Sequence, residues 1–523
     1  MFPNSSNRNT HETFALTSSS EQDTFLLARL LAPHLKRGDL VTLSGDLGSG
    51  KTTFARGLIR ALSGDPELVI TSPTFLLQQE YKGLTENIIH ADLYRLSNAN
   101  ELIEIGFNEA MDSAISIVEW PERSPDLLEA AIVSIDFKNS APPDEFRRTL
   151  FIIGKPNLLS SVVSDYDLYR LLRDHNLEDA NRAQITGDAS GRRYERIIKG
   201  SESAILMISP KPVTEPIIKN NKTYKNIAKL SVSLESFIAA SKGLIDFGFS
   251  APKILGYDLS AGLILSEDLG TNQIFDNDDP IVERYKAAAS FLGTLHTTDL
   301  PRHISINDHL IYHIPTYDVD ALLIEVELFL DWYLPYFTQH DITNDARDEF
   351  NEIWKRLLTP LQNEQHSWTL RDFHSPNILW LEERTGIRRV GLIDTQDLVW
   401  GHPTYDLASL LQDARIPISN ELEMELYELY VRMRSANDHN FDVIAFSKAY
   451  AIYALQRVTK ILGIFVRLNL RDHKPEYLKF IPGLIVYLRR NLSHPSLDEY
   501  RGWLTKNCPD LLHGDKIIGG QDE

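Results

Sequence analysis

Thiols are almost absent: a single cysteine, Cys508, serves all 523 residues. No intrachain disulfide and no cysteine-rich zinc cluster can form from it, and such scarcity fits a reducing cytosol. Long apolar runs are also missing. The most hydrophobic stretch, Ile452–Leu470, is broken by Gln456, Arg457, Lys460 and Arg467, short of the roughly 20 residues that span a bilayer. The polar segment Met1–Thr17 lacks the apolar centre of a secretory signal. A cytoplasmic chain without membrane contact is expected. Basic residues are outnumbered, with 53 Lys and Arg against 73 Asp and Glu, a formal net charge of −20. That balance favours solubility and argues against strong direct binding to nucleic acid.

What remains is ordinary for a globular protein: 43% hydrophobic and 24% charged residues. Length suggests two to four domains, at about 100–200 residues each. Residues 1–12 read as a disordered lead. Ser18–Ser20 followed by Glu21 marks a helix start, and Thr24–Leu35 has helical apolar spacing. Short β-rich runs at Leu40–Leu43, Asn87–His90, Ser116–Glu119, Ala131–Phe137 and Thr149–Ile153 alternate with helical segments such as Phe54–Leu62, the pattern of a mainly parallel α/β sheet. Asn139–Asp144, with two prolines, reads as a hairpin or loop. A composition change near Lys155–Ser164 sets the expected boundaries: a domain over 13–155, a linker over 156–164, a second domain over 165–510 and a tail over 511–523. The second domain opens with a helix (Asp167–His175) and β-runs (Tyr194–Ile198, Ala204–Ile208). From Val282 it is mostly helical, except around Trp368–Asp394.

Gly45-Asp46-Leu47-Gly48-Ser49-Gly50-Lys51-Thr52 satisfies G-x-x-x-x-G-K-[ST] between a strand and a helix, and Thr53 follows. Glycines let backbone N–H groups turn inward around phosphates, and the helix adds its positive end. Lys51 is expected to reach the β- and γ-phosphates of ATP, and Thr52 to help hold Mg²⁺. A carboxylate at a strand end, as at Glu119, is where this fold places its metal-supporting acid.

Four further pieces follow in order: Ser72-Pro73-Thr74-Phe75, His90-Ala91-Asp92-Leu93-Tyr94-Arg95, Glu104-Ile105-Gly106-Phe107 and Val118-Glu119-Trp120-Pro121. Together with the phosphate loop they resemble the TsaE (YjeE-type) ATPase family along nearly all of residues 12–155. The resemblance implies an ATPase assisting threonylcarbamoyladenosine synthesis on tRNA with TsaB- and TsaD-type partners. It also implies a switch-like hydroxyl at Thr74, metal- or water-serving acids at Asp92 and Glu119, and Trp120 as part of the nucleotide site. Blander readings stay open: a surface ion pair of Asp92 with Arg95, and packing for Trp120. His90 reads as structural.

A second constellation lies downstream. Leu370-Arg371-Asp372-Phe373-His374-Ser375-Pro376-Asn377 contains D-x-x-x-x-N, and Asp394 follows in Gly391-Leu392-Ile393-Asp394. This is the spacing of a kinase catalytic loop and its metal-binding aspartate. Asp372 would take the proton of an acceptor hydroxyl, while Asn377 and Asp394 hold Mg²⁺. Upstream, Gly187–Tyr194 suits a phosphate-covering loop with Ser190 and Arg193, and Leu263–Gly270 an inter-lobe hinge that meets adenine near Glu267 and Leu269. Asp406, in His402–Leu407, is expected to cap a helix and buttress the loop.

This pattern resembles the aminoglycoside phosphotransferase-like superfamily over about residues 165–505, implying a bilobal, protein-kinase-like α+β domain. Within it, the G-D-A-S-x-R-R-Y start, Gly401–Arg415 and Leu455–Tyr477 look like the AmgK-type kinases, which phosphorylate the anomeric hydroxyl of N-acetylmuramate or N-acetylglucosamine in cell-wall recycling. Three positions depart from the usual pattern: Met207 replaces the strand lysine, Leu370 the histidine two before Asp372, and Gly191 an aromatic residue. Arg193, or Lys199, would then supply positive charge to the phosphates. Glu325, Glu327 and Asp331, beside Phe329, Trp332 and Tyr333 on one helix, suit either sugar hydroxyls or solvent. Gln456, Arg457 and Arg467 suit a lactyl carboxylate, pocket closure or a structural role. Two alternatives stay open: a weak or inactive regulatory module, and a kinase for another acceptor such as an aminoglycoside or amino alcohol.

Overall fold

The largely apolar runs at 40–43, 88–91 and 114–118 are buried on both faces, as in strands covered from two sides, and they lie in the middle of one sheet. The computed structural model describes residues 12–513 except 75, 97–100, 103–105, 140–146, 186–190, 211–214, 220, 232 and 339–340. Most of the expected lead, the 140–144 loop, Ser190 and the tail beyond residue 513 lie outside the described residues. The chain divides into two units after Asp179.

In the first unit, seven strands are β1 (Glu12–Ser18), β2 (Leu40–Gly45), β3 (Gln78–Lys82), β4 (Asn87–Asp92), β5 (Ala114–Glu119), β6 (Val133–Asn139) and β7 (Arg148–Gly154). They pair in the order β1-β7-β6-β2-β5-β4-β3. The central four are parallel, and β3, β7 and β1 join antiparallel. Helix α1 (Glu21–Leu31) begins where expected, with the Ser20 hydroxyl accepting the Asp23 amide at 3.1 Å. Helix α2 (Lys51–Ser63) follows β2 and ends on Gly64 in the left-handed region.

The expected linker is a correction. Residues 156–164 form the first half of a helix, Pro156–Arg173, that packs on the first unit. Leu159, Val162 and Tyr166 join its core, Tyr166 Oη donates to Thr17 O at 2.7 Å, and Arg173 pairs with Asp23. Pro156 starts the helix, where its missing N–H costs nothing.

The second unit opens with five antiparallel strands: β8 (Asn181–Ile185), β9 (Arg193–Lys199), β10 (Glu202–Ile208), Ile254–Asp258 and Leu263–Glu267. A core including Met207 lies between this sheet and the helices Leu234–Asp246 and Val282–Leu295. The rest is mostly helical, built around the 30-residue helix Val443–Asp472 and interrupted by short two-stranded pairs. That helix is long and apolar enough to cross a membrane, but 83% of its apolar window is buried inside the unit, so it is spent as a core helix.

Candidate active sites

Strand register assembles the first site. Leu43 of β2 pairs with Glu119 of β5, and Glu119 with Asp92 of β4. Two carboxylates and the loop after β2 therefore share the carboxyl edge of the sheet, where open α/β sheets bind ligands. Gly45, Gly48 and Gly50 have φ of 128°, 77° and 108°, and a Cβ on Gly45 would stand 2.5 Å from Phe137 O. Helix α2 starts directly after Gly50 and aims its N-terminus at this loop. Ser49 Oγ is buried without a hydrogen-bond partner, an orphan that a phosphate oxygen would satisfy. These residues, with Asp46 in the loop and half-buried Thr53 behind it, fit a nucleotide phosphate chain.

Lys51 Nζ folds back to donate to Gly45 O at 2.6 Å and Asp46 O at 2.8 Å, and lies 3.8 Å from the Trp120 ring centroid. Burial pulls its pKa below the ordinary lysine value, against the charges of Glu119, Glu122, Asp92 and Asp46. Thr52 Oγ1 donates to Glu119 Oε2 at 2.8 Å, and His90 Nε2 meets Oε1 at 3.0 Å. The two candidate metal supports are thus already paired, with buried His90 fixing the carboxylate from its other side. Asp92 is buried rather than a surface partner of Arg95. Its Oδ2 accepts the hydroxyls of Ser72 and Thr74 at 2.8 and 2.7 Å, and its Oδ1 accepts the Tyr94 amide at 3.0 Å. Trp120 has φ of 60° and packs against Tyr94, with ring centroids 5.0 Å apart. Arg148 was not singled out in the sequence. Its side chain stands 3.5 Å from the place of a Cβ on Gly50, reaching the loop from β7, two strands away.

The second site hangs on one buried carboxylate. Asp406 accepts the amides of Leu370 and Arg371 at 2.7 and 2.8 Å. It buttresses the loop as expected, but it does not cap its own helix, Thr404–Leu411, whose N-cap is Pro403. Asn377 Nδ2 donates to Asp372 O at 3.1 Å, and Asn377 O accepts the Ile393 amide at 3.0 Å. Strands Ile378–Trp380 and Val390–Leu392 pair between them and carry Asp394, which has φ of 58°. Burial opposes ionisation of Asp372, but His374, Lys460, Arg371 and Arg457 outweigh it and lower its pKa. Burial pushes Asp394 up to about 6, opposed by Gln396 and reinforced by Asp372 and Asp397. Half-withdrawn carboxylates beside an amide oxygen fit a cation. Among the described residues no cluster of three His, Cys, Asp or Glu side chains that could hold a metal ion occurs.

Other candidates are redistributed. Met207 lies opposite Tyr194 and is buried in the core, so it offers no charge. Arg193 points the other way, 55% exposed and 3.4 Å from Glu195. Arg192 instead lies within electrostatic reach of Tyr194, Asp394 and Asp397. Glu267 is engaged with Arg384 at 2.8 Å and the Lys253 amide at 3.1 Å, and Leu269 is half-buried beyond it.

The acidic helix is corrected too. Glu325 is fully buried and neither solvated nor free for a sugar: it takes Arg371, Tyr317, Lys460 Nζ at 2.9 Å and Gln456 Nε2 at 3.4 Å. Glu327 accepts from Asn351 at 3.1 Å, and Asp331 from Arg347 at 2.7 Å. Phe329 and Tyr333 stack in the core. Gln456 and Arg457 are buried, Arg457 donating to Gln412 O at 3.3 Å.

A P-loop ATPase unit followed by a two-lobed, kinase-like phosphotransferase unit is the class that this fold and these sites define. The family model for threonylcarbamoyl adenosine biosynthesis protein TsaE matches residues 18–149, and that for the phosphotransferase enzyme family matches residues 182–441. The tRNA threonylcarbamoyladenosine biosynthesis protein TsaE of Rickettsia conorii is 43% identical over 183 residues, covering 35% of this chain and 99% of that protein. The N-acetylmuramate/N-acetylglucosamine kinase of Caulobacter vibrioides is 34% identical over 343 residues, 63% of this chain and 93% of that protein. That of Pseudomonas putida is 26% identical over 341 residues, 64% and 91% respectively. The chain belongs to the TsaE family through its first unit and to the N-acetylmuramate/N-acetylglucosamine kinase family through its second, both of them ATP-using.

Proposed function

We propose that this is a bifunctional cytoplasmic enzyme. Its first unit hydrolyses ATP in support of threonylcarbamoyladenosine formation on tRNA, with TsaB- and TsaD-type proteins as partners. Its second unit phosphorylates the anomeric hydroxyl of N-acetylmuramate or N-acetylglucosamine. Bound ATP and Mg²⁺ would supply the phosphoryl group and neutralise its charge. Lys51, Thr52 and Glu119 would hold them in the first unit, Asn377 and Asp394 in the second. The observation that carries the kinase reading is the registered set Asp372, Asn377 and Asp394. Asp372, kept ionised by its cationic surroundings, takes the hydroxyl proton of the acceptor. A regulatory module has no need of that register, which favours catalysis over the inactive alternative.

The purified chain, given ATP, Mg²⁺ and a panel of sugars, aminoglycosides and amino alcohols, is expected to form a sugar 1-phosphate. That activity vanishes in Asp372→Ala and survives in Lys51→Ala, whereas ATP turnover by the first unit, measured with its partners added, does the reverse. Phosphorylation of an amino alcohol or aminoglycoside in place of any sugar would overturn the acceptor assignment, and no product from the whole panel would return the unit to a regulatory role.

A further inference from the structure

Arg467 lies on the helix Val443–Asp472, seven residues after Lys460. Two turns of helix bring both to one face, about 10 Å apart along the axis at 1.5 Å per residue. Lys460 is committed to Glu325, as is Arg371 next to the catalytic aspartate. Arg467 is not. Its Nε is buried with no hydrogen-bond partner. Asp472, the carboxylate whose charge reaches it, is held by Arg471 through two contacts of 2.8 Å.

The Arg467 guanidinium lies 5.5 Å from the ring centroid of Tyr224. Tyr224 opens the helix Tyr224–Ala228, fixed at its start by a capping box between Thr223 and Asn226. The other end of that helix is tied to the catalytic loop: Arg371 Nη1 donates to Ala228 O at 3.1 Å and to Lys229 O at 3.2 Å. The Tyr224–Arg467 pair is thereby linked to the residue preceding Asp372. The charges of Glu325, Lys460, Arg467 and Arg371 all reach Tyr224.

A withdrawn guanidinium with an unfilled donor is costly to maintain unless a ligand completes it. Its planar fork matches a carboxylate. The two acceptors of the proposed reaction differ in that group: N-acetylmuramate carries a lactyl carboxylate and N-acetylglucosamine does not. We infer that Arg467, its plane set by Tyr224, binds the carboxylate of the acidic amino sugar and sets the preference between the two acceptors. This rests on the sugar-kinase reading above.

The full chain is assayed with ATP and Mg²⁺ on N-acetylmuramate, its neutral lactyl methyl ester and N-acetylglucosamine. The wild type is expected to prefer the acid over the ester in kcat/KM by about tenfold or more, mainly through KM. In Arg467→Met the acid-to-ester ratio falls towards one, and Arg467→Lys restores part of it. A wild type that uses acid and ester equally overturns the inference, even if Arg467→Met does not fold. So does a preference that survives Arg467→Met. A wild type that phosphorylates N-acetylglucosamine alone overturns this inference but not the kinase reading, whereas phosphorylation of neither sugar overturns both.

Discussion

Asp406 binds the backbone of Leu370, not its side chain: Oδ2 accepts the Leu370 amide at 2.7 Å while the leucine itself is buried in the core. Oδ1 takes the next amide, that of Arg371. The loop can do without the usual histidine at this position because its shape is enforced from beneath. Buried His296 lies beside the same carboxylate, Nε2 3.8 Å from Oδ2.

Asp406→Ala leaves two buried amides unpaired, each costing about 1–3 kcal/mol. It also unties the backbone of Arg371, whose φ of 65° is unfavourable for arginine. Sugar phosphorylation is expected to fall in kcat by about tenfold or more as Asp372 loses its position, together with a lower unfolding midpoint. Asp406→Ala with unchanged kcat would show that the loop holds itself.

Arg192, rather than Arg193 or Lys199, is expected to supply the charge that the missing strand lysine leaves out. Tyr194 faces the core opposite Met207, and Arg192, two residues earlier, lies on that side with Asp394 within its electrostatic reach. Arg193 alternates to the opposite face beside Glu195, its own side chain 55% exposed. Arg192→Ala is expected to raise the KM for ATP in sugar phosphorylation by about tenfold, and Arg193→Ala by less than about twofold. Equal responses of the two variants would refute the assignment.

Contiguity decided what could be read from the chain. The phosphate loop and the Asp372–Asn377 loop are short strings whose chemistry sits in neighbouring residues, so motif and site coincide. Glu325 could not be read that way: its partners Arg371 and Lys460 come from distant parts of the sequence, and a helical acid beside aromatic rings looks the same whether it faces solvent or a buried guanidinium. The Arg192–Arg193 pair shows a finer limit. Strand alternation separates the two arginines, but only the pairing of Tyr194 with Met207 says which of them faces inward. Only the second half of helix Pro156–Arg173 is legible, because Lys155–Ser164 looks like a linker until Tyr166 and Arg173 find Thr17 and Asp23 near the start of the unit.

Gly463 illustrates packing hidden in a motif. A Cβ there would lie 2.3 Å from the carbonyl carbon of Leu328, so helix Val443–Asp472 and helix Val319–Leu328 approach closely only because the side chain is absent. Alanine normally favours a helix by about 1 kcal/mol over glycine. Gly463→Ala is nevertheless expected to destabilise the second unit by about 1–3 kcal/mol, because rigid backbone must shift to admit the methyl group. Chemical unfolding followed at the second-unit transition reads the sign directly, and a stabilised variant would mean that the helices can part without cost.

The boundary between the units gives the last prediction. Leu159, Val162 and Tyr166 are buried in the first unit's core, and burying a side chain of this size contributes about 1.5–3 kcal/mol. Their combined contribution approaches the whole stability of a small domain, about 5–15 kcal/mol. A fragment ending at residue 155 also loses the Tyr166–Thr17 hydrogen bond and the Arg173–Asp23 ion pair that hold β1 and α1. Fragment 1–155 is therefore expected to be unfolded or to melt far below fragment 1–179, which should show one cooperative transition. Thermal unfolding by circular dichroism compares the two. Equal midpoints would mean that the helix merely rests on the unit and that the boundary belongs at residue 155 after all.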